Sequence, residues 1–183
     1  MATITIDQLI ARRVKGGANE AESRTLLAEL TAALSGDNLA HALVYNGFAT
    51  GTQADAFAAA VSVDALIARH MAAGHTEEES RTQLAGLVDA FDGDDFAAAL
   101  AEDGFATADG ARVFVEAGAD VAVIETPSCR RCGLVSDIAA TGMQADSFRA
   151  GVPVQEVFPG MAPEVREILI SGTHPACWAQ LVG

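Results

Sequence analysis

Apolar residues recur at helical spacing through most of the chain. Leu27, Leu30 and Leu34 stand three and four apart, as do Leu84, Leu87 and Phe91, which turns one side of each segment towards a core. Ahead of the second series stands Thr76-Glu77-Glu78-Glu79. A Thr followed three residues later by Glu is a capping box: the hydroxyl accepts from the first turn while the carboxylate reaches back. Asn19 to Glu22 is the equivalent start in the first series. Gly36 and Gly93 suit helix stops, after which Asp37 or Asp94 caps a shorter helix. That helix is expected to bury Leu39 and Leu43, or Phe96 and Leu100, and to end at Gly47 or Gly104. A further helix is expected from about Thr107 to Ala117, with Val113 and Phe114 inward. The β-branched Ile4-Thr5-Ile6 and Val61-Ser62-Val63 precede Asp caps. They read as extended lead-ins that pin the first helix of each series, with a short strand as the alternative.

The signals repeat because the sequence does. Residues 4–57 align without a gap on 61–114, an offset of 57, and 26 of the 54 pairs are identical. Asp7-Gln8-Leu9-Ile10-Ala11-Arg12 answers Asp64-Ala65-Leu66-Ile67-Ala68-Arg69, and Glu22-Ser23-Arg24-Thr25 answers Glu79-Ser80-Arg81-Thr82. Identity at that level marks a tandem duplication. A third, degraded copy is expected downstream, because residues 144–154 match 53–63 at seven of eleven positions. Pro163 then suits the first turn of a helix with Val165, Ile168 and Leu169 on its apolar stripe and Gly172 as its stop. The fold class expected is all-α: tandem short-helix modules of about 57 residues each, followed by the degenerate third copy closed by a zinc knuckle. The corresponding divisions are 1–60, 61–118 and 119–183.

Three cysteines cannot all pair, so a disulfide framework is a poor reading. Cys129-Arg130-Arg131-Cys132-Gly133 is a CxxC followed by Gly, and His174-Pro175-Ala176-Cys177 is an HxxC. Cys129, Cys132, His174 and Cys177 together supply three thiolates and an imidazole, a full tetrahedral shell for structural zinc. Ligands three apart wrap a tight turn with both sulfurs on one ion, and the following Gly permits the backbone that turn needs. Pro175 would begin a helix and put Cys177 in its first turn, while Arg130 and Arg131 would offset the negative charge of the site. A redox pair and free cysteines are the alternatives. No thioredoxin-like alternation of strands and helices surrounds the CxxC. A complete protein shell leaves no position for water, so the zinc expected is structural rather than hydrolytic.

The run Glu164-Val165-Arg166-Glu167-Ile168-Leu169-Ile170-Ser171-Gly172-Thr173-His174-Pro175-Ala176-Cys177-Trp178 resembles the ends of small uncharacterised proteins encoded by bacteriophages and mobile elements. Those tails share an Arg-Glu-x-Leu-Ile-Ser-Gly core, then a Cys- or His-containing pair and an aromatic. The resemblance covers residues 164–178 only; it implies phage origin and no activity.

Charge narrows the classes of partner. The net charge of −14 argues against a sequence-independent grip on phosphates and against an anionic membrane surface. No charge-free apolar run approaches the roughly 20 residues of a membrane span, and the N-terminus reads as lacking a signal peptide. The expectation is a protein of the host cytoplasm or of a virion. Residues 61–114 hold eleven Asp and Glu against three Arg. Asp89, Asp92, Asp94 and Asp95 cluster there, but counting from Asp89 puts Leu100 where an EF-hand needs its twelfth-position Glu. Solvated acid and helix capping are the better reading. His41, His70 and His75 face Ala98, Arg13 and Ala18 in the alignment, so no His site is duplicated. Ser23-Arg24 and Ser80-Arg81 are expected to make first-turn surface or inter-helix contacts. No phosphate loop, nucleophile elbow or HExxH is present. The function expected is a non-enzymatic structural or interaction protein, a phage virion component or accessory factor that docks on other protein subunits. The alternative is an acidic inhibitor that mimics DNA and occupies a nucleic-acid-binding protein.

Overall fold

The computed structural model describes residues 4–34, 36–119 and 121–182. In chain order the helices before the first strand are α1 (Ile6–Lys15), α2 (Glu20–Ala33), α3 (Gly36–Tyr45), α4 (Gly51–Ala60), α5 (Val63–Ala72), α6 (Glu77–Ala90), α7 (Gly93–Glu102) and α8 (Ala108–Glu116). Strands β1 (Val121–Glu125) and β2 (Asp137–Thr141) follow, then α9 (Gly142–Arg149), α10 (Val154–Val157), α11 (Pro163–Ser171) and α12 (Pro175–Val182). The chain is mostly α-helical, and the duplication is visible element by element: α1 to α4 recur as α5 to α8. The β-hairpin is the departure from helix. The run Val121-Ala122-Val123-Ile124 pairs antiparallel with β2, Val121 opposite Thr141 and Glu125 opposite Asp137, as a β-branched segment with an apolar partner does.

Caps decide where the helices begin. Ala21 and Glu22 amides donate to the Asn19 side chain, and the Thr76–Glu79 box closes in both directions at 2.8 and 3.2 Å. The expected Asp caps of α1 and α7 are replaced. Thr5 caps α1 in a box with Gln8, leaving Asp7 in the first turn, and Asp92 rather than Asp94 occupies the cap of α7. Neither lead-in forms a strand. Gly36 and Gly93 are not stops: each opens the next helix at a φ near +50°. The preceding helix α2 has already ended at the extended Leu34, and a left-handed step, which glycine takes without a Cβ penalty, redirects the chain. Phe91 lies beyond α6 and is 44 % exposed, so it leaves the apolar stripe of Leu84.

The chain forms two compact units, and these follow packing rather than repeat boundaries. One comprises residues 1–69 and 91–120, the other 70–90 and 121–183. In the first, α3 packs on α4 and α7 on α8. Leu9, Leu39, Leu43, Phe48 and Phe57 are fully buried in one cluster that takes in Val113 and Ala117. The Thr31 hydroxyl reaches the Ala117 carbonyl at 2.6 Å. Arg13 donates to Ser23 Oγ and to the Asn46 carbonyl, its guanidinium 5.1 Å from the Phe48 ring centroid.

In the second unit, α6 lies against the hairpin, and Ile124, Ile138, Phe158, Val165 and Leu169 form the core. Here Ser80 takes the place of Ser23. Its hydroxyl donates to the Thr76 carbonyl at 2.7 Å, so the 2.9 Å contact with His70 Nδ1 requires that nitrogen to carry the proton. The matched serines therefore anchor inter-helix contacts, with Arg13 replaced by His70. The third copy is visible as well. Thr141 and Gln144 cap α9 with the same box that Thr50 and Gln53 make on α4. Val154 then opens α10 as Val63 opens α5, but α10 stops after four residues at Phe158-Pro159.

A charged pair holds this unit together. Arg81 and Glu77, 4 % and 9 % exposed, bond at 2.8 Å. Arg81 Nη1 also donates to the Ala139 carbonyl of β2, and Glu77 Oε2 accepts from the Ala162 amide at the cap of α11, both at 2.8 Å. The matched Arg24 and Glu20 on α2 make the same ion pair at 52 % and 65 % exposure. Arg81→Ala should therefore cost about 3–5 kcal/mol, because it strands a buried carboxylate, whereas Arg24→Ala should leave the denaturation midpoint nearly unchanged. Equal losses in urea titrations would contradict this account.

Candidate metal centre

Four ligand atoms, from Cys129, Cys132, His174 and Cys177, lie within 4.8 Å of one another. Local chain geometry brings them there. After β1 the chain turns through the CxxC: the Gly133 amide donates to the Cys129 carbonyl at 2.8 Å, and the Cys129 amide to the Leu134 carbonyl at 2.8 Å. Gly133 takes φ +75° to close that turn. On the other side, α11 ends at Gly172 in the left-handed conformation, and Pro175 starts α12 with Cys177 in its first turn. Gly172 is required twice over. Any Cβ there would collide with the Pro127 carbonyl, which crosses the helix end at contact distance. That close approach seats the HxxC against the CxxC, and Arg131 reinforces it by donating twice to Gln180 Oε1 on α12, at 3.0 and 2.8 Å.

The imidazole is oriented for ligation. Nδ1 of His174 faces Cys132 Sγ at 3.4 Å, and Nε2 lies 2.9 Å from Ser136 Oγ. An Nε2–H donated to Ser136 leaves the Nδ1 lone pair directed at the sulfurs, the usual way in which an outer hydrogen bond fixes a ligating histidine. Ser136 is itself held by its backbone amide donating to Thr126 Oγ1. Sequence reading missed Ser136, since nothing marks one serine as the histidine's partner before the hairpin places it there. The half-buried Glu78 is a second such group. Burial pushes its carboxyl above the ordinary carboxylate range.

The thiols differ in proton affinity. Amide donation from Cys132 and Arg131 pulls Cys129 down to about 5 from its ordinary 9. Burial, and then the neighbouring Cys132 and Cys129, pushes Cys177 up to about 11. Three thiols packed this closely disfavour three negative charges unless a cation joins them. Tetrahedral bonds of about 2.3 Å put sulfurs about 3.8 Å apart, so the observed set needs only a small contraction around an ion. The four donors fit a soft divalent metal in number, type and separation.

The other sequence candidates do not form such a group. Among the described residues this is the one cluster of three or more convergent ligands, and Asp89, Asp92, Asp94 and Asp95 are not part of another. His70 is buried and stacks on His75 at 3.8 Å. Arg130 is exposed. Comparison with protein-family models, curated proteins and solved structures finds no match.

Two expectations follow from the geometry. Gly172→Ala should lower the melting temperature, since the left-handed backbone alone costs roughly 1–2 kcal/mol for a residue with a Cβ and the Pro127 collision adds to it. An unchanged melting temperature would show that the helix end is free to move. Metal loading at neutral pH should release the Cys177 proton and none from Cys129, already a thiolate, so affinity rises with pH through neutrality. Calorimetric titrations in buffers of differing ionisation heat measure the protons released, and none at pH 7 would contradict the assignment.

Proposed function

We propose that Cys129, Cys132, His174 and Cys177 hold a structural zinc ion, and that the chain is a non-catalytic docking protein for other protein subunits. The convergence of exactly as many soft donors as a closed tetrahedral shell uses is the observation that carries this reading. Zinc so bound would join Cys132 to a histidine 42 residues away. Coordination contributes apparent free energies of roughly 10–16 kcal/mol in zinc-finger peptides, ample to fix so small a segment.

What the metal would fix is a surface suited to protein contact. Leu134 in the knuckle, Ile170 on α11 and Trp178 on α12 are all more than half exposed. A groove of about 390 Å³ between α11 and α12 is lined by Pro163, Glu167, Pro175 and Trp178. An apolar groove of this kind with an exposed tryptophan on its wall suits protein contact. No helix among the described residues is long and apolar enough to cross a membrane. The likeness of residues 164–178 to phage-encoded tails extends the proposal to a virion component or accessory factor.

Elemental analysis of purified protein should find about one zinc per chain, and Cys132→Ser should lose it and loosen residues 121–182. Metal-free protein that melts as the wild type does would sink the zinc assignment. Mass spectrometry of particles from the source should find the chain at high copy; particles without it would remove the virion reading.

A further inference from the structure

The duplication provides one surface in two states. On α6 the positions Glu77, Arg81 and Ala85 form an i, i+4, i+8 stripe, and all three are buried. Two elements meet it: β2 brings the Ala139 carbonyl to Arg81, and the cap of α11 brings the Ala162 amide to Glu77. The matched stripe on α2 is Glu20, Arg24 and Ala28, the same three residue types, and all three are exposed.

The correspondence extends to single atoms. Arg24 spends Nε and Nη2 on Glu20 Oε1 and Asp7 Oδ1. Its Nη1, equivalent to the atom that grips a strand carbonyl in the second copy, has no partner among the described residues. Nor has Glu20 Oε2, equivalent to the atom that accepts the α11 cap amide. Alongside, between this face and the end of α8, runs a cleft of about 130 Å³ lined by Ile10, Arg24, Leu27, Ala28, Thr31 and Glu116, in the size range that admits one small group. Ala28 leaves room for a backbone to approach, and its match Ala85 is wholly buried.

We propose that the Glu20–Arg24–Ala28 face of α2 is a docking surface for a segment of another polypeptide, one whose backbone brings a carbonyl to Arg24 and a free amide to Glu20 and which offers a small side chain to the cleft. This rests on the reading of the chain as a docking protein and names the surface and the kind of partner. A second copy of the chain is not the occupant. Each copy has one such segment, already held by its own Arg81, and giving it up would uncover a charged pair that is now buried and fully bonded. The partner is a different protein carrying a segment of the same character. Charge-assisted hydrogen bonds from its backbone to Arg24 and Glu20 would give it affinity, and the cleft its side-chain selectivity.

The chain's own residues 134–162, made as a labelled peptide, are the probe. Titrated with full-length protein and followed by fluorescence anisotropy, the peptide should bind saturably, with one site per chain. Arg24→Ala and Ala28→Glu, both surface changes that leave the melting temperature in place, should each weaken binding by about tenfold or more, the loss of one charge-assisted hydrogen bond or a close backbone fit. Lys15→Ala should not. Absence of saturable binding to millimolar protein overturns the proposal. So does binding that both α2 variants leave intact, because the peptide would then be displacing the native segment on α6. Dimers that form without peptide and vanish with Arg24→Ala would assign the face to a second copy and overturn the choice of partner. Zinc content is measured separately, so a failed metal assignment and a failed docking face are distinguishable.

Discussion

A glutamate and an arginine one turn apart on α6, almost wholly removed from water, determine what the surrounding chain must provide. Charges buried in a low-dielectric interior are tolerable only when their remaining hydrogen-bonding capacity is met. Glu77 and Arg81 meet it with backbone: a carbonyl in the middle of β2 and the amide at the head of α11. Backbone partners fix position more strictly than side chains would, since they admit no rotamer change. The hairpin register and the start of α11 are set relative to the helix by the same two residues.

That arrangement also positions the four candidate metal ligands. The hairpin pinned by Arg81 carries the CxxC in its connection, and the helix capped by Glu77 ends at Gly172, one residue before the His174 turn begins. The ligand halves therefore approach from two elements that α6 has already aligned, and the Pro127–Gly172 contact closes the remaining distance. Ser136 and Arg131 act at the next level, orienting the imidazole and tying the knuckle to α12. The ligands need little rearrangement to accept an ion, and the cost of ordering them is met in folding rather than in binding.

The two copies show how one sequence pattern serves two environments. Glu-x-x-x-Arg behind a capped first turn is an exposed, solvent-screened pair on α2 and a buried anchor on α6. A surface pair of this kind contributes little to stability, whereas its buried counterpart becomes indispensable once neighbours enclose it. His70 in place of Arg13 fits the same logic: a smaller ring donor satisfies Ser80 where a guanidinium satisfies Ser23.

By itself the sequence determined what depends on near neighbours. Helix periods, the Asn19 and Thr76 caps, the stop at Gly172, the duplication and the four ligand positions are each written within a few residues. The two ligand pairs could be joined on chemistry alone, because three thiolates and an imidazole complete one shell. Tertiary structure decided the rest. Nothing near Arg81 distinguishes it from Arg24, since its burial comes from Ala139 and Ala162, 58 positions from Arg81 and 85 from Glu77 respectively. Packing set α6 against the hairpin, turned Val121–Glu125 into a strand, and moved Gly36 and Gly93 from helix ends to helix starts. Local patterns are legible because capping and periodicity act through neighbouring backbone. Burial is not, because the same face is apolar-lined or solvated according to what the distant chain brings to it.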